Sequence, residues 1–117
     1  MKLICYPKCS TCRKAENWLK QHGIDYEYRD ISIDNPSYSE LKLWYEKSGL
    51  PIKKLFNTSG KLYKEMGLKD RLPSMSDEEV LQLLATDGML VKRPIALSDE
   101  SVFFGFNEDN YITLLNQ

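Results

Sequence analysis

The sequence has little of several features that define common classes of protein. It contains one histidine and three cysteines in 117 residues, and no apolar run approaches the roughly 18 residues that a membrane-spanning helix needs. Its 16 basic and 17 acidic residues give a net charge of −1, so no overall positive charge favours nucleic acid or a membrane surface. It also lacks a glycine-rich phosphate loop. We therefore expect no direct binding to nucleic acid or membranes.

The cysteine count also bears on structural disulfides and on the cellular compartment. An odd number of cysteines, with a strand-like start in place of an export signal, argues against a framework of structural disulfides. We therefore expect a reducing, cytoplasmic location. The length predicts a single domain over residues 1–117, which we expect to be a monomer.

One short stretch, residues 6–14, combines features that point to chemistry. A strand-like run over residues 1–6 leads into it, and a helix-like run over residues 10–22 leads out. Cys9 therefore lies where a strand turns into a helix, and Cys12 follows one turn later on the same helix face. Two sulfurs at this spacing can close a disulfide with little backbone movement.

The surroundings of Cys9 favour an anion. The free amides and the dipole of a helix N-terminus stabilise negative charge, and thiols in such positions become nucleophilic thiolates. Lys8, Arg13 and Lys14 add positive charge nearby. We therefore predict that Cys9 carries out redox or nucleophilic chemistry.

Two other interpretations of the C-x-x-C pair stay open. The pair can be half of a zinc site, but zinc needs two more ligands and the chain offers only Cys5 and His22, neither at metal-ligand spacing. The cysteines can also be small, inert, buried residues. Burial is the fate we expect for Cys5, which belongs to the first strand. No metal site is predicted.

The next part of the chain completes a β-α-β unit. Gly23 ends the first helix, and residues 24–30 alternate apolar and charged side chains as a half-buried strand does. A connection of this length predicts parallel pairing of the two strands. A second helix is predicted over residues 38–47, with Gly49 after it.

The middle of the chain is predicted to form a helical insertion over residues 37–86. Ser59 is predicted to cap a short helix that ends at Gly67. Residues 68–75, which contain three charges and a proline, are predicted to form a loop. Ser76 begins a capping box in front of another helix.

The last part of the chain returns to strands. Residues 89–97 and 101–106 predict an antiparallel hairpin, and Asn107 is predicted to cap a final helix. The element order predicts an α/β protein with the thioredoxin-like (glutaredoxin-like) fold. This fold has a four-stranded mixed sheet, here with the helical insertion between the second and third strands.

Three segments together give the chain a family resemblance. Cys9–Ala15, Lys92–Ile95 and Gly105–Asp109 resemble, in order and spacing, the arsenate reductase (ArsC)-like family, which includes the Spx-type transcription regulators. The resemblance covers nearly the whole chain. It implies the thioredoxin-like fold and a cis peptide bond between Arg93 and Pro94.

The resemblance also implies roles for individual residues. Cys9 matches the family's nucleophile, Cys12 stands where it can resolve the adduct as an internal thiol, and Arg93 matches an arginine that faces the cysteine. The implied substrate is a disulfide or a small oxyanion. No cofactor is implied, and a redox partner such as glutathione, glutaredoxin or thioredoxin would supply electrons. The implied anion-binding residues are Ser10, Thr11, Arg13 and Pro94.

The sequence departs from the arsenate reductases at two further arginines. At the corresponding place in residues 56–60 this chain has Thr58 or a neighbour, and residues 101–106 contain no basic side chain. Each charge-assisted contact contributes roughly 1.5–3 kcal/mol. We therefore expect arsenate to be a poor substrate.

An alternative function follows from the same resemblance. Spx-type proteins bind the C-terminal domain of the RNA polymerase α subunit, and a disulfide at the C-x-x-C turn acts as their oxidative switch. Gly49 matches a glycine at their polymerase contact, although a glycine after a helix is also an ordinary helix end. In this alternative, Cys9 and Cys12 form a switch and not a catalyst.

Overall fold

The computed structural model describes residues 1–116, which divide into two compact units. Residues 1–30 with 93–116 form the sheet unit, and residues 31–92 form the helical unit. Within the described residues, no helix has both the length and the apolar character to span a membrane.

The sheet unit contains four strands and two α-helices. Its elements are β1 (Lys2–Cys5), α1 (Ser10–Gln21), β2 (Glu27–Asp30), β3 (Ile95–Leu97), β4 (Val102–Phe104), α6 (Glu108–Ile112) and a final 3₁₀ turn (Thr113–Asn116). The helical unit contains α2 (Tyr38–Ser48), α3 (Lys61–Glu65), α4 (Leu68–Arg71), α5 (Asp77–Leu84) and three 3₁₀ turns (Ile52–Leu55, Leu72–Ser74, Gly88–Leu90).

The four strands form a mixed sheet in the order β2-β1-β3-β4. β1 pairs with β2 in parallel, with Lys2 opposite Glu27, and pairs with β3 in antiparallel fashion. β3 and β4 form the antiparallel hairpin, with Leu97 opposite Val102. The predicted α/β class and four-stranded mixed sheet are therefore confirmed. The predicted strand 24–30 begins to pair only at Glu27.

The side-chain alternation of β1 decides what faces α1. Leu3 and Cys5, two residues apart on one strand face, are fully buried in the same apolar cluster as Cys12. Ala15 and Leu19, one and two turns further along α1, belong to that cluster as well. The helix is therefore fixed against the strand along its whole apolar face, which positions its first turn.

The structure corrects two predictions in the helical unit. Ser59 does not cap α3: Gly60 is the N-cap residue, and the Ser59 hydroxyl instead donates to the side-chain oxygen of Asn57, 3.3 Å away. The predicted loop 68–75 is wrong, because it contains α4 and a 3₁₀ turn. This segment is helical because Leu68 is fully buried and anchors it despite its charges.

The predicted strand 89–97 is also wrong over its first half. Asp87 accepts a hydrogen bond from the Met89 amide (2.9 Å) and caps a 3₁₀ turn there. Val91 forms an isolated antiparallel bridge with Phe56. The backbone around Val91 is therefore already paired inside the helical unit, and β3 begins only after Pro94, which has no N–H to donate.

We predict that two serines of the helical unit differ in their effect on stability. Ser76→Ala should lower the free energy of unfolding by about 1 kcal/mol, because the Ser76 hydroxyl accepts from the Glu79 amide and completes a capping box. Ser59→Ala, the matched control, should change it by less than about 0.5 kcal/mol. Urea unfolding of both variants checks this, and equal losses would contradict the assignment of the caps.

Candidate active site

A tight turn joins β1 to α1 and presents Cys9. The Cys9 amide donates to the Tyr6 carbonyl at 3.0 Å, and the Arg13 amide donates to the Cys9 carbonyl at 3.2 Å, which is the first hydrogen bond of the helix. Cys9 is the N-cap residue, and its thiol is partly exposed. Cys9 therefore lies at a strand-to-helix turn, as predicted, and the helix start favours an anion there.

Cys12 follows Cys9 by one turn of α1 and is buried. Its side chain is 1% exposed. The Tyr6 amide donates to the Cys12 sulfur at 3.4 Å. Cys5 lies in the same buried cluster as Cys12, and Cys9 packs against that cluster. All three cysteines are free thiols, and Cys9 alone among them is partly exposed.

Cys12 is the more acidic of the two buried thiols. Its interaction with the Cys5 thiol lowers the pKa of Cys12 to about 7, and the hydrogen bond from the Tyr6 amide acts in the same direction, while burial opposes both. The same interaction with Cys12, and then burial, raise the pKa of Cys5. The Cys12 sulfur is therefore more easily ionised than the Cys5 sulfur.

Arg93 brings a guanidinium to the same region of the sheet unit. Its positive charge contributes to the lowered pKa of Cys12, and its Cζ atom lies 5.1 Å from the centre of the Tyr6 ring. The Nε and Nη1 atoms of Arg93 are buried and find no hydrogen-bond partner among residues 1–116. Two such donors are suited to hold an anion.

The other predicted site residues differ in their placement. Ser10 and Arg13 are exposed on the first turn of α1, and Thr11 beside them is partly buried. Pro94 is buried, its bond to Arg93 is cis as the resemblance implied, and its carbonyl accepts from the Gly105 amide at 2.8 Å. The anion-binding roles predicted for these residues stay predictions.

Sequence reasoning missed two contributors to the site, Cys5 and the backbone of Tyr6. Cys5 is buried, as predicted, and it also belongs to the same buried cluster as Cys12. A sequence signal for this was available, because the last inward-facing residue of a strand lies close to the first turn of the helix that packs on it.

His22 packs against an aromatic side chain: its ring stacks on Trp18 with the ring centres 3.9 Å apart. No group of three or more His, Cys, Asp or Glu side chains within residues 1–116 is arranged to hold a metal ion.

Sequence comparison links the chain to a family and to several relatives. A model of the ArsC family matches residues 5–114. The chain is 54% identical to the uncharacterized protein YusI of Bacillus subtilis, over 91% of this chain and 90% of YusI. It is 30% identical to the regulatory protein MgsR of the same organism, over 93% of this chain and 85% of MgsR. It is 28% identical to the global transcriptional regulator Spx of Staphylococcus epidermidis, over 92% of this chain and 80% of Spx.

Solved structures agree with the fold. An ArsC family related protein from Bacteroides fragilis superposes with a TM-score of 0.95 at 49% identity, covering 97% of this chain and 95% of that protein. A protein described as a possible arsenate reductase, from Streptococcus mutans, gives a TM-score of 0.86 at 43% identity, covering 94% and 96%. The predicted thioredoxin-like architecture and family resemblance are therefore confirmed.

We predict that the three thiols differ sharply in access. When the reduced, native protein is treated with iodoacetamide, Cys9 should be alkylated first, because Cys5 and Cys12 are 0% and 1% exposed. Peptide mapping by mass spectrometry checks this, and labelling of the other two thiols should require unfolding in guanidinium. Cys9→Ser, as the control, should take up no label in the native state. Labelling of Cys12 as fast as Cys9 would contradict the arrangement.

Proposed function

The chain belongs to the ArsC family, and we propose that it is a thiol–disulfide oxidoreductase that uses Cys9 and Cys12 as its redox pair. The observation that supports this most strongly is the arrangement of the two sulfurs. A partly exposed thiol at a helix start is followed one helical turn later by a second, buried thiol, and it packs against the cluster that contains that thiol. One sulfur can meet a substrate, and the other can reach only the first.

The first step is attack on the substrate. The Cys9 thiolate attacks one sulfur of a small disulfide, an S–S bond forms between Cys9 and that half of the substrate, and the other half leaves as a thiolate that takes a proton from water. The helix N-terminus and the Arg93 guanidinium favour negative charge where the attacking and leaving sulfurs meet.

The second step releases the product from the protein. The Cys12 thiolate attacks the Cys9 sulfur, the Cys9–Cys12 disulfide forms, and the remaining half of the substrate leaves as a thiol after protonation. The substrate disulfide has gained two electrons and the protein has lost two. A thiol reductant such as glutathione, glutaredoxin or thioredoxin then returns the protein to its dithiol form, in a reducing cytoplasmic setting.

Arsenate is a weaker candidate substrate than a disulfide. Arg93 has unpaired donors that could hold an oxyanion. However, Thr58 or a neighbour stands where the resemblance places an arginine of the reductases, and residues 101–106 contain no arginine. Two missing charge-assisted contacts amount to roughly 3–6 kcal/mol, or at least about a hundredfold in binding. Arsenate-dependent oxidation of a thiol reductant well above that of Cys9→Ser would contradict this expectation.

We predict that substitution of Cys9 and substitution of Cys12 impair disulfide reduction at different steps. Cys9→Ser should abolish reduction of a small disulfide such as hydroxyethyl disulfide, because no thiolate is left to attack. Cys12→Ser should form the mixed disulfide at Cys9 and stop there, visible as a mass increase equal to half of the substrate. Lys20→Gln, an exposed change near the far end of α1, serves as the control and should keep wild-type turnover. Wild-type turnover in Cys9→Ser would refute the proposal.

A second candidate function is that of a redox-sensing regulator that binds the C-terminal domain of the RNA polymerase α subunit. Similarity to Spx and MgsR, which are named as regulators, supports it. So does Gly49, which is exposed at the end of α2 with φ of +68° and has nothing within 4 Å of the place a Cβ atom would take. That position is open for a partner.

We predict that a substitution at Gly49 separates the two functions. Asparagine tolerates positive φ, so Gly49→Asn should keep the fold while adding a side chain to the proposed contact surface. Gly67→Asn, at φ of +61° and equally open, is the matched control. If the chain is a regulator, only Gly49→Asn should lose stoichiometric binding to the purified polymerase domain. If wild type shows no binding and reduces disulfides, the regulator is excluded.

A further inference from the structure

The helical unit contains a cavity that has no part in the two steps above. The cavity has a volume of about 680 Å³, and all the residues that line it lie between Pro51 and Val80. We call it the helical-unit cavity. Volumes of roughly 300–1,000 Å³ are typical of sites that bury most of a small molecule. The cavity is therefore large enough for a ligand.

The interior of the helical-unit cavity is apolar and has a fixed shape. Phe56 and Val80 line it and are 1% and 2% exposed, and the half-buried Tyr63 and Met75 add further apolar surface. The rings of Phe56 and Tyr63 lie with their centres 5.8 Å apart. The backbone of Phe56 is held by its bridge to Val91. An apolar interior that is formed in advance favours an aromatic or aliphatic group.

The polar groups that line the cavity include several unpaired donors. Lys53 and Lys69 are exposed at its rim, and neither has an ion-pair partner in the described part of the chain. Thr58 and Tyr63 also line the cavity, and their hydroxyl groups make no hydrogen bond within residues 1–116. An ammonium group can only donate, and a hydroxyl group adds one further donor. An anionic acceptor would satisfy these groups best.

One carboxylate, that of Asp77, also lines the cavity. It already accepts a hydrogen bond from the Tyr45 hydroxyl at 3.2 Å. Asp77 is also the first residue of α5, so the positive end of that helix dipole lies at the same part of the rim. Two unpaired ammonium groups and a helix start, set against one engaged carboxylate, give the rim a net preference for an anion.

We propose that the helical-unit cavity binds a small organic carboxylate with an aromatic or branched aliphatic body. The apolar body lies against Phe56 and Val80, and the carboxylate lies at the rim, where Lys53 and Lys69 supply the opposite charge. The cavity shares no lining residue with the proposed redox pair. The inference is therefore independent of the proposed thiol–disulfide function.

The test uses 2-naphthoate as the probe and 2-naphthamide as its neutral isostere, with ¹H–¹⁵N NMR of the reduced full-length protein. Addition of 2-naphthoate should shift the amide signals of residues 51–80 in a saturable way. The Kd should be about 1 mM or below, from the binding free energy per atom that is typical of small ligands. Binding of 2-naphthamide should be about threefold weaker or more, because it lacks the charge.

Substitution of the two lysines then tests the recognition of charge. Lys53→Gln and Lys69→Gln should each weaken 2-naphthoate binding by about two- to fivefold, the range for an exposed ion pair, and leave 2-naphthamide binding unchanged. The double variant should bind the two probes equally. Lys42→Gln, an exposed change on α2 outside the cavity lining, is the matched control and should bind both probes as wild type does. Unchanged 2-naphthoate affinity in the double variant would overturn the inference.

The following results would also overturn it. Equal affinity of the wild type for the two probes would show apolar adsorption without recognition of charge. Shifts confined to residues outside 51–80, or no saturable shift at ten times the expected Kd, would remove the site. Shifts of the same cavity signals when the protein alone is diluted would mean that a second copy of the chain occupies the cavity. None of these results bears on disulfide reduction, which Cys9→Ser tests separately.

Discussion

The packing of the first turn of α1 against the end of β1 is the constraint on which the site depends. It puts Cys12 into the core of the sheet unit, 1% exposed, and brings the amide of Tyr6, the residue after β1, to 3.4 Å from its sulfur. Burial alone would raise the pKa of this thiol, because burial disfavours the charged form. The neighbouring Cys5 thiol and the Tyr6 amide act in the opposite direction and lower the pKa of Cys12, so the contact that holds α1 on β1 also favours the thiolate.

In the proposed function, the exposed and the buried sulfur have different tasks. Cys9, which the turn presents at the helix start, meets the substrate. Cys12 reacts only with Cys9, and Arg93 adds positive charge near Cys12. This division suits thiol exchange whether its purpose is turnover or signalling. The chain is similar both to a protein named as a transcriptional regulator and to one described as a possible arsenate reductase.

Much of the fold and part of the site were predictable from sequence. The turn at Cys9 and the capping box at Ser76 follow from local patterns, and local interactions are enough to form them. The mixed sheet joins residues far apart in the chain, and it was predictable because the order of the elements limits how the strands can pair. The first half of the predicted strand 89–97 failed because Val91 pairs with Phe56, a long-range contact that no local pattern encodes. The hydrogen bond from the Tyr6 amide to the Cys12 sulfur was missed because it joins two residues across a turn, which residue types alone do not indicate.

The most direct test of the account is an equilibrium redox titration of the full-length protein in glutathione buffers, with acid trapping and peptide mapping of the disulfide formed. We predict one reversible two-electron transition that links Cys9 to Cys12 and leaves Cys5 a free thiol at every point. A Cys9–glutathione adduct that persists at equilibrium, or a disulfide that includes Cys5, would contradict it.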